Sequence, residues 1–171
     1  MHRRTALAQL AALGLLAPGF AALAKTDDCH TIDLVHAVPV NASPERIYAA
    51  VSTQDGMRGW WTRDTVMNAV VGGEAEFGFD KKRLAFRMTV EELVPFSSVR
   101  LRCIGGHPEW EGTTLEWKVQ PNAEGAMLRF THRNWRGVTE FAAICNSRWG
   151  QLMFRLKDYA ETGTPNPQWT L

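Results

Sequence analysis

Cysteine is scarce, and its scarcity narrows the chemistry first. Cys29, Cys103 and Cys145 are the three cysteines of the chain, too few and too widely spaced for a disulfide framework or an ordinary zinc site, and no C-x-x-C occurs. An odd count allows at most one disulfide and leaves a free thiol; Cys103 and Cys145 are expected to be small buried apolar side chains. Charge of one sign is also missing, since 19 Lys+Arg against 18 Asp+Glu leave a net +1. Nothing therefore implies broad attraction to nucleic acid or to an anionic membrane. The strongly diagnostic motifs G-x-S-x-G, H-E-x-x-H, G-x-x-x-x-G-K-[ST] and G-x-G-x-x-G are absent, so no catalytic residue, metal ligand or cofactor is assigned. Tyrosine is rare as well: two, against seven Trp and eight Phe. Large aromatics of this kind suit a deep core or a ligand-lined cavity. With 171 residues, 45% hydrophobic and 22% charged, and with neither repeats nor a linker, the chain fits one globular domain.

The N-terminus reads as a targeting segment. Arg3 and Arg4 precede an apolar run from Ala6 to Ala24 that is interrupted by Pro18 and Gly19 and ends in Ala22-Leu23-Ala24. The small-x-small ending is the pattern of a signal-peptidase site, so residues 1–24 are expected to be a signal peptide cleaved before Lys25. The paired arginines suit twin-arginine export, although Ala6 stands where that signal usually has Phe; a general secretory signal is the other route. Residues 25–171 are then a single domain, periplasmic or secreted, with no stable membrane insertion after cleavage.

Period-two patterning dominates the middle of the chain. Ile32, Leu34, His36, Val38 and Val40 alternate along a first strand. Asn41-Ala42-Ser43-Pro44-Glu45 signals a helix start, with Ser43 as cap and Pro44 at the first position. A second short helix ends at Trp60-Trp61. Thr65–Val71 and Glu74–Phe79 are expected to pair as a hairpin across a tight Gly72-Gly73 turn. Further strands follow around Leu84–Val90, Val99–Ile104, Leu115–Val119 and Met127–His132. Glu91 and Glu92, neighbours on what reads as a regular strand, should point to opposite faces and make a poor acid–base pair. Thr139–Gly163 reads as one long helix, with Phe141, Ile144, Cys145, Trp149, Leu152, Leu156 and Tyr159 along one face and Gly163 with Pro165 and Pro167 as the stop. Antiparallel strands covered by such a helix give an α+β layer architecture.

Three stretches carry a resemblance. Ser43-Pro44-Glu45-Arg46-Ile47-Tyr48-Ala49-Ala50, Asp55-Gly56-Met57-Arg58-Gly59-Trp60-Trp61 and Gly73-Glu74-Ala75-Glu76-Phe77 resemble the opening of the START-like (SRPBCC, birch-pollen-allergen-like) superfamily, in the branch of heat-shock protein 90 ATPase activator homologues. The stretch from Trp149 to Tyr159 is similar to the closing helix of that branch. The resemblance implies a helix-grip fold: a curved antiparallel sheet wrapped around the long C-terminal helix, two short helices after the first strand, and an internal cavity. Members of the branch are mostly cytoplasmic, so an export signal separates this chain from a cytosolic chaperone partner.

On that reading the chain binds a small hydrophobic or amphipathic ligand between sheet and helix, lined by Trp60, Trp61, Phe77, Phe86, Met88, Leu101, Trp117, Phe130, His132, Trp149 and Met153. His36 and His132 fall on the apolar side of their strands; a hydrogen-bonded core histidine is the ordinary explanation, and a ligand-orienting role for His132 the sharper one. Trp110, in a loop with His107, Glu109 and Glu111, joins Trp60 and Trp61 as a candidate for the cavity mouth. Two alternatives stand beside ligand binding. One is a cofactor-independent cyclase or dehydratase working through His36, Arg87 and His132, and the other is a co-chaperone-like module acting on a protein partner through its surface.

Overall fold

The computed structural model describes residues 31–81 and 83–170; the expected signal peptide and Cys29 lie outside them. Alternation from Ile32 onward produces β1 (Ile32–Val40). The next segment turns helical because Ser43 caps it, its Oγ accepting the Arg46 N–H, while Pro44 occupies the first turn and cannot join a ladder. The result is α1 (Pro44–Ser52), followed by α2 (Gln54–Trp60), whose cap Thr53 accepts the Gly56 N–H at 3.0 Å. Strands β2 (Thr65–Met67), β3 (Glu74–Phe79), β4 (Leu84–Val94), β5 (Ser98–Gly105), β6 (Thr114–Asn122) and β7 (Gly125–Trp135) precede α3 (Glu140–Thr162). The seven strands form one curved antiparallel sheet in the order β1-β7-β6-β5-β4-β3-β2. This is the expected α+β helix-grip architecture.

Helix α3 closes the inner face. Thr139 caps it, its Oγ1 accepting the Ala142 N–H at 3.0 Å, and Gly163 ends it at φ 76°, a left-handed conformation that costs glycine little. Ala142, Cys145, Trp149, Leu152, Met153, Leu156 and Ala160 are buried along it. Ile144, expected on that face, is 43% exposed, because the apolar stripe turns through Ala142 and Met153 instead. Phe154, beside the buried Met153, is exposed. Beyond Gly163 the chain runs back along α2: the Asn166 N–H donates to Gly59 O at 2.8 Å, the Trp169 N–H to Trp61 O at 3.2 Å, and the Arg63 N–H to Trp169 O at 3.0 Å.

Two further expectations are corrected. The strand expected over residues 65–71 stops at Met67, and the Gly72-Gly73 pair turns away from β2 to bond β4. The Gly72 N–H donates to Val90 O and the Val90 N–H to Gly73 O, both at 2.8 Å, leaving Val70 and Val71 exposed. Glu91 and Glu92 do not diverge, because an irregularity of register between Val90 and Glu92 breaks the alternation. Both carboxylates reach Arg100, at 3.2 and 3.1 Å. They belong to an ion-pair network on the outer face, centred on the buried Glu116, which Arg133 meets at 3.1 Å and Lys118 at 3.5 Å.

A candidate ligand pocket beneath Trp169

Trp60 and Trp61 end α2 pointing inward. The Trp60 indole N–H donates to Ala50 O of α1 at 2.9 Å, tying the two short helices together. Trp61 stacks on Phe77, with centroids 4.3 Å apart, and tilts against Trp149 of α3 at 5.2 Å. Trp149 also meets Phe130 at 4.3 Å, and Phe130 meets Trp117 at 5.2 Å. Aromatic contacts of this spacing add to the apolar area each ring removes from water. The space between the middle of the sheet and α3 is therefore filled by side chains.

A polar circuit fixes the wall of what remains. The Trp149 indole N–H donates to His132 Nδ1 at 3.1 Å, and His132 Nε2 lies 2.8 Å from Thr113 Oγ1. Thr113 Oγ1 in turn donates to Trp110 O at 2.6 Å, and the Trp110 indole N–H donates to Cys145 Sγ at 3.4 Å. A nitrogen that accepts from an indole carries no proton, so the ring proton of His132 is on Nε2 and is donated to Thr113. Burial pushes the His132 pKa down to about 3, which keeps the imidazole neutral. Cys145 and Trp149 lie four residues apart on α3, so the circuit leaves the helix, crosses the 106–113 loop and β7, and returns to it one turn later.

Around this circuit lies a cavity of about 80 Å³ lined by Trp61, Phe79, Leu84, Phe86, Trp110, Phe141, Cys145, Arg148, Trp149, Leu152 and Trp169. Phe86 stacks on Trp110 with centroids 4.0 Å apart. Trp169 walls one side of the cavity, edge-on to Phe79 at 4.8 Å, with the Arg148 guanidinium 6.0 Å above its ring. Among the described residues Arg148 is the only charged group in this lining. Burial raises the Cys145 thiol pKa, partly offset by the Trp110 N–H bond, so the sulfur meets the cavity as a neutral thiol.

The residues expected from the sequence to line a site divide into two groups. Trp61, Phe86 and Trp149 border this cavity, and Trp110 forms its back wall. Trp60, Phe77, Met88, Leu101, Trp117, Phe130 and Met153 are buried in the hydrophobic core behind it, and His132 is buried with them. Both ring nitrogens of His132 are held by protein groups. His36 lies on the helix side of the sheet, stacked on Phe130 at 6.3 Å; burial lowers its pKa, opposed by a hydrogen bond with Asn146. Arg87 is exposed and lies over Gly105, on the face of the sheet away from α3, so it does not converge with the two histidines. His107 stacks on Phe141 at 3.8 Å, its Nδ1 accepting the Glu109 N–H, and the Glu109 carboxylate accepts from Thr139 Oγ1. These donors hold the loop to the start of α3.

Sequence reasoning placed none of Phe79, Leu84, Phe141, Cys145, Arg148, Leu152 and Trp169 at a ligand site. Arg148 reads as polar-face on a helical wheel. Trp169 follows two prolines in a tail, and its one signal is a large aromatic with no periodic partner. No described helix is long and apolar enough to cross a membrane.

The model of the family described as Activator of Hsp90 ATPase homolog 1-like protein matches residues 41–161. The solution structure of the Aha1 dimer from Colwellia psychrerythraea is 34% identical, with a TM-score of 0.70 over 77% of this chain and 98% of that one. A protein of Mesorhizobium loti, 15% identical, has a TM-score of 0.66 over 74% of this chain and 95% of its own. A Bacillus halodurans protein, 19% identical, has a TM-score of 0.61 over 76% and 97%. The last two share the fold alone. No curated protein sequence matches the chain.

Proposed function

Because the chain belongs to the family of Activator of Hsp90 ATPase homolog 1-like proteins, we propose that it uses the helix-grip fold to bind a small apolar or amphipathic molecule in the cavity beneath Trp169. The observation that carries this reading is an aromatic-walled cavity with Arg148 as the charged group of its lining, backed by Trp110, a residue anchored at both its backbone carbonyl and its indole N–H. At about 80 Å³ the cavity is smaller than the usual range of about 300–1,000 Å³ for a drug-sized ligand. It suits a single ring or a short chain, or a larger molecule once Trp169 moves. A signal peptide in residues 1–24, as the sequence pattern suggests, would put this activity outside the cytosol. Native mass spectrometry of the protein purified from its own host tests the reading. A co-purifying small molecule is expected, and bare protein that also fails to take up uncharged aromatic probes would remove it.

A second reading, a protein-interaction module, is favoured by the filled interior and by Val138, Ile144 and Phe154, exposed at 81%, 43% and 60% on and beside α3. A similar chain, the Colwellia Aha1, is described as a dimer. On this reading Phe154→Ser abolishes self-association or partner capture without altering small-molecule uptake.

A further inference from the structure

The cavity beneath Trp169 has an outer neighbour. A second space, of about 120 Å³, is lined by Arg148, Gln151, Leu152, Gln168 and Trp169. It shares Arg148, Leu152 and Trp169 with the inner cavity, so these three side chains form the partition between an aromatic chamber and a polar vestibule. The vestibule offers one guanidinium and two primary amides, and among the described residues no carboxylate lines either space. Among the described residues Arg148 forms no ion pair, and its guanidinium sits over the Trp169 ring. A planar guanidinium free of a carboxylate, beside amide donors and at the rim of an apolar chamber, matches a carboxylate joined to an apolar body.

We propose that the ligand is a small aromatic carboxylic acid, its ring in the chamber walled by Phe86, Trp110 and Trp149 and its carboxylate in the vestibule on Arg148, with Trp169 as the gate between them. This rests on the ligand-binding reading of the same cavity and adds the ligand's charge and orientation. Trp169 suits a gate because its ring is held by an edge contact to Phe79 and by the Arg148 cation, while its backbone is anchored separately on α2 and Arg63. The ring can therefore turn without the tail leaving. An arriving carboxylate would exchange the cation–ring contact of Arg148 for a charge-assisted hydrogen bond, the stronger of the two at a wet rim.

The test pairs 3-phenylpropanoate with its uncharged counterpart 3-phenylpropan-1-ol, titrated into ¹⁵N-labelled protein at low salt while the indole N–H signals of Trp110, Trp149 and Trp169 are followed. The acid is expected to bind at least three-fold tighter than the alcohol, with the Trp169 signal moving in step with the other two. Arg148→Gln should remove that preference, bringing the acid-to-alcohol affinity ratio to one or below. Equal affinity for acid and alcohol, or a preference that survives Arg148→Gln, overturns the carboxylate assignment and leaves apolar binding in place. If neither probe moves the Trp110 and Trp149 signals, the binding reading falls and this inference with it.

Discussion

The indole N–H of Trp149 on α3 donates to Nδ1 of His132 on β7 at 3.1 Å, and neither residue is more than 2% exposed. This bond sets the tautomer of His132, and through Thr113 and Trp110 it positions the back wall of the cavity. His132→Leu keeps the volume but strands a buried indole donor. A loss of about 2 kcal/mol in denaturant unfolding is expected, together with a shift of the Trp149 indole N–H signal. An unchanged indole signal would mean the circuit does not exist in solution.

The same histidine gives the stability a definite pH dependence. Folding holds its pKa at about 3, against an ordinary 6.5, so between those values the unfolded chain binds a proton that the native protein refuses. Stability therefore falls as pH falls from about 6.5, by up to about 1.4 kcal/mol per pH unit from this group. His36, also lowered by burial, acts in the same sense. The comparison between wild type and His132→Leu from pH 7 to pH 5 isolates the contribution of His132, and the variant's curve should be flatter by that slope.

Much of this was legible in the residue pattern. The bounds of α3 follow from Thr139 and Gly163, and the strands from alternation, because caps and period two are local signals. The burial of Trp117 and Trp149 is readable from strand and helix periodicity, whereas Trp60 and Trp61, adjacent at a helix end, are open to either a packing or a cavity-mouth role. Three things were not legible. The register irregularity at Val90–Glu92 is invisible to a pattern that assumes a regular strand. The end of β2 depends on what Gly72-Gly73 bonds across the sheet. The place of Trp169 is set by contacts with Phe79 and α2, distant in sequence, and so is the filling of the expected cavity by the rings of Trp117 and Phe130. Composition announced many aromatics without saying whether they would line a space or occupy it.

A close approach between α2 and α3 offers an independent check on the packing that holds Trp60 and Trp61. A Cβ added at Gly59 would lie 2.4 Å from the Tyr159 ring. Gly59→Ala should therefore cost about 1–3 kcal/mol through overpacking, despite alanine's better helix propensity. A variant as stable as the wild type in thermal unfolding would show that the two helices are further apart than described.

Export makes a prediction that mass alone can check. Protein recovered from its own host should begin at Lys25 and appear in the periplasmic or external fraction. A cytoplasmic product retaining Met1 or His2 would return a cytosolic partner to consideration.

The central claim is that the space between Trp110, Trp149 and Trp169 holds a molecule, and filling that space tests it most directly. Leu152 lines both the inner cavity and its vestibule, so Leu152→Phe occupies the partition with an apolar side chain of larger volume. Native mass spectrometry of wild type and variant, each purified from the native host and each checked for cooperative unfolding, compares their occupancy. The expected result is a small-molecule adduct on the wild type and at least ten-fold lower occupancy on Leu152→Phe. Equal occupancy of both proteins, or no adduct on either, would contradict the account.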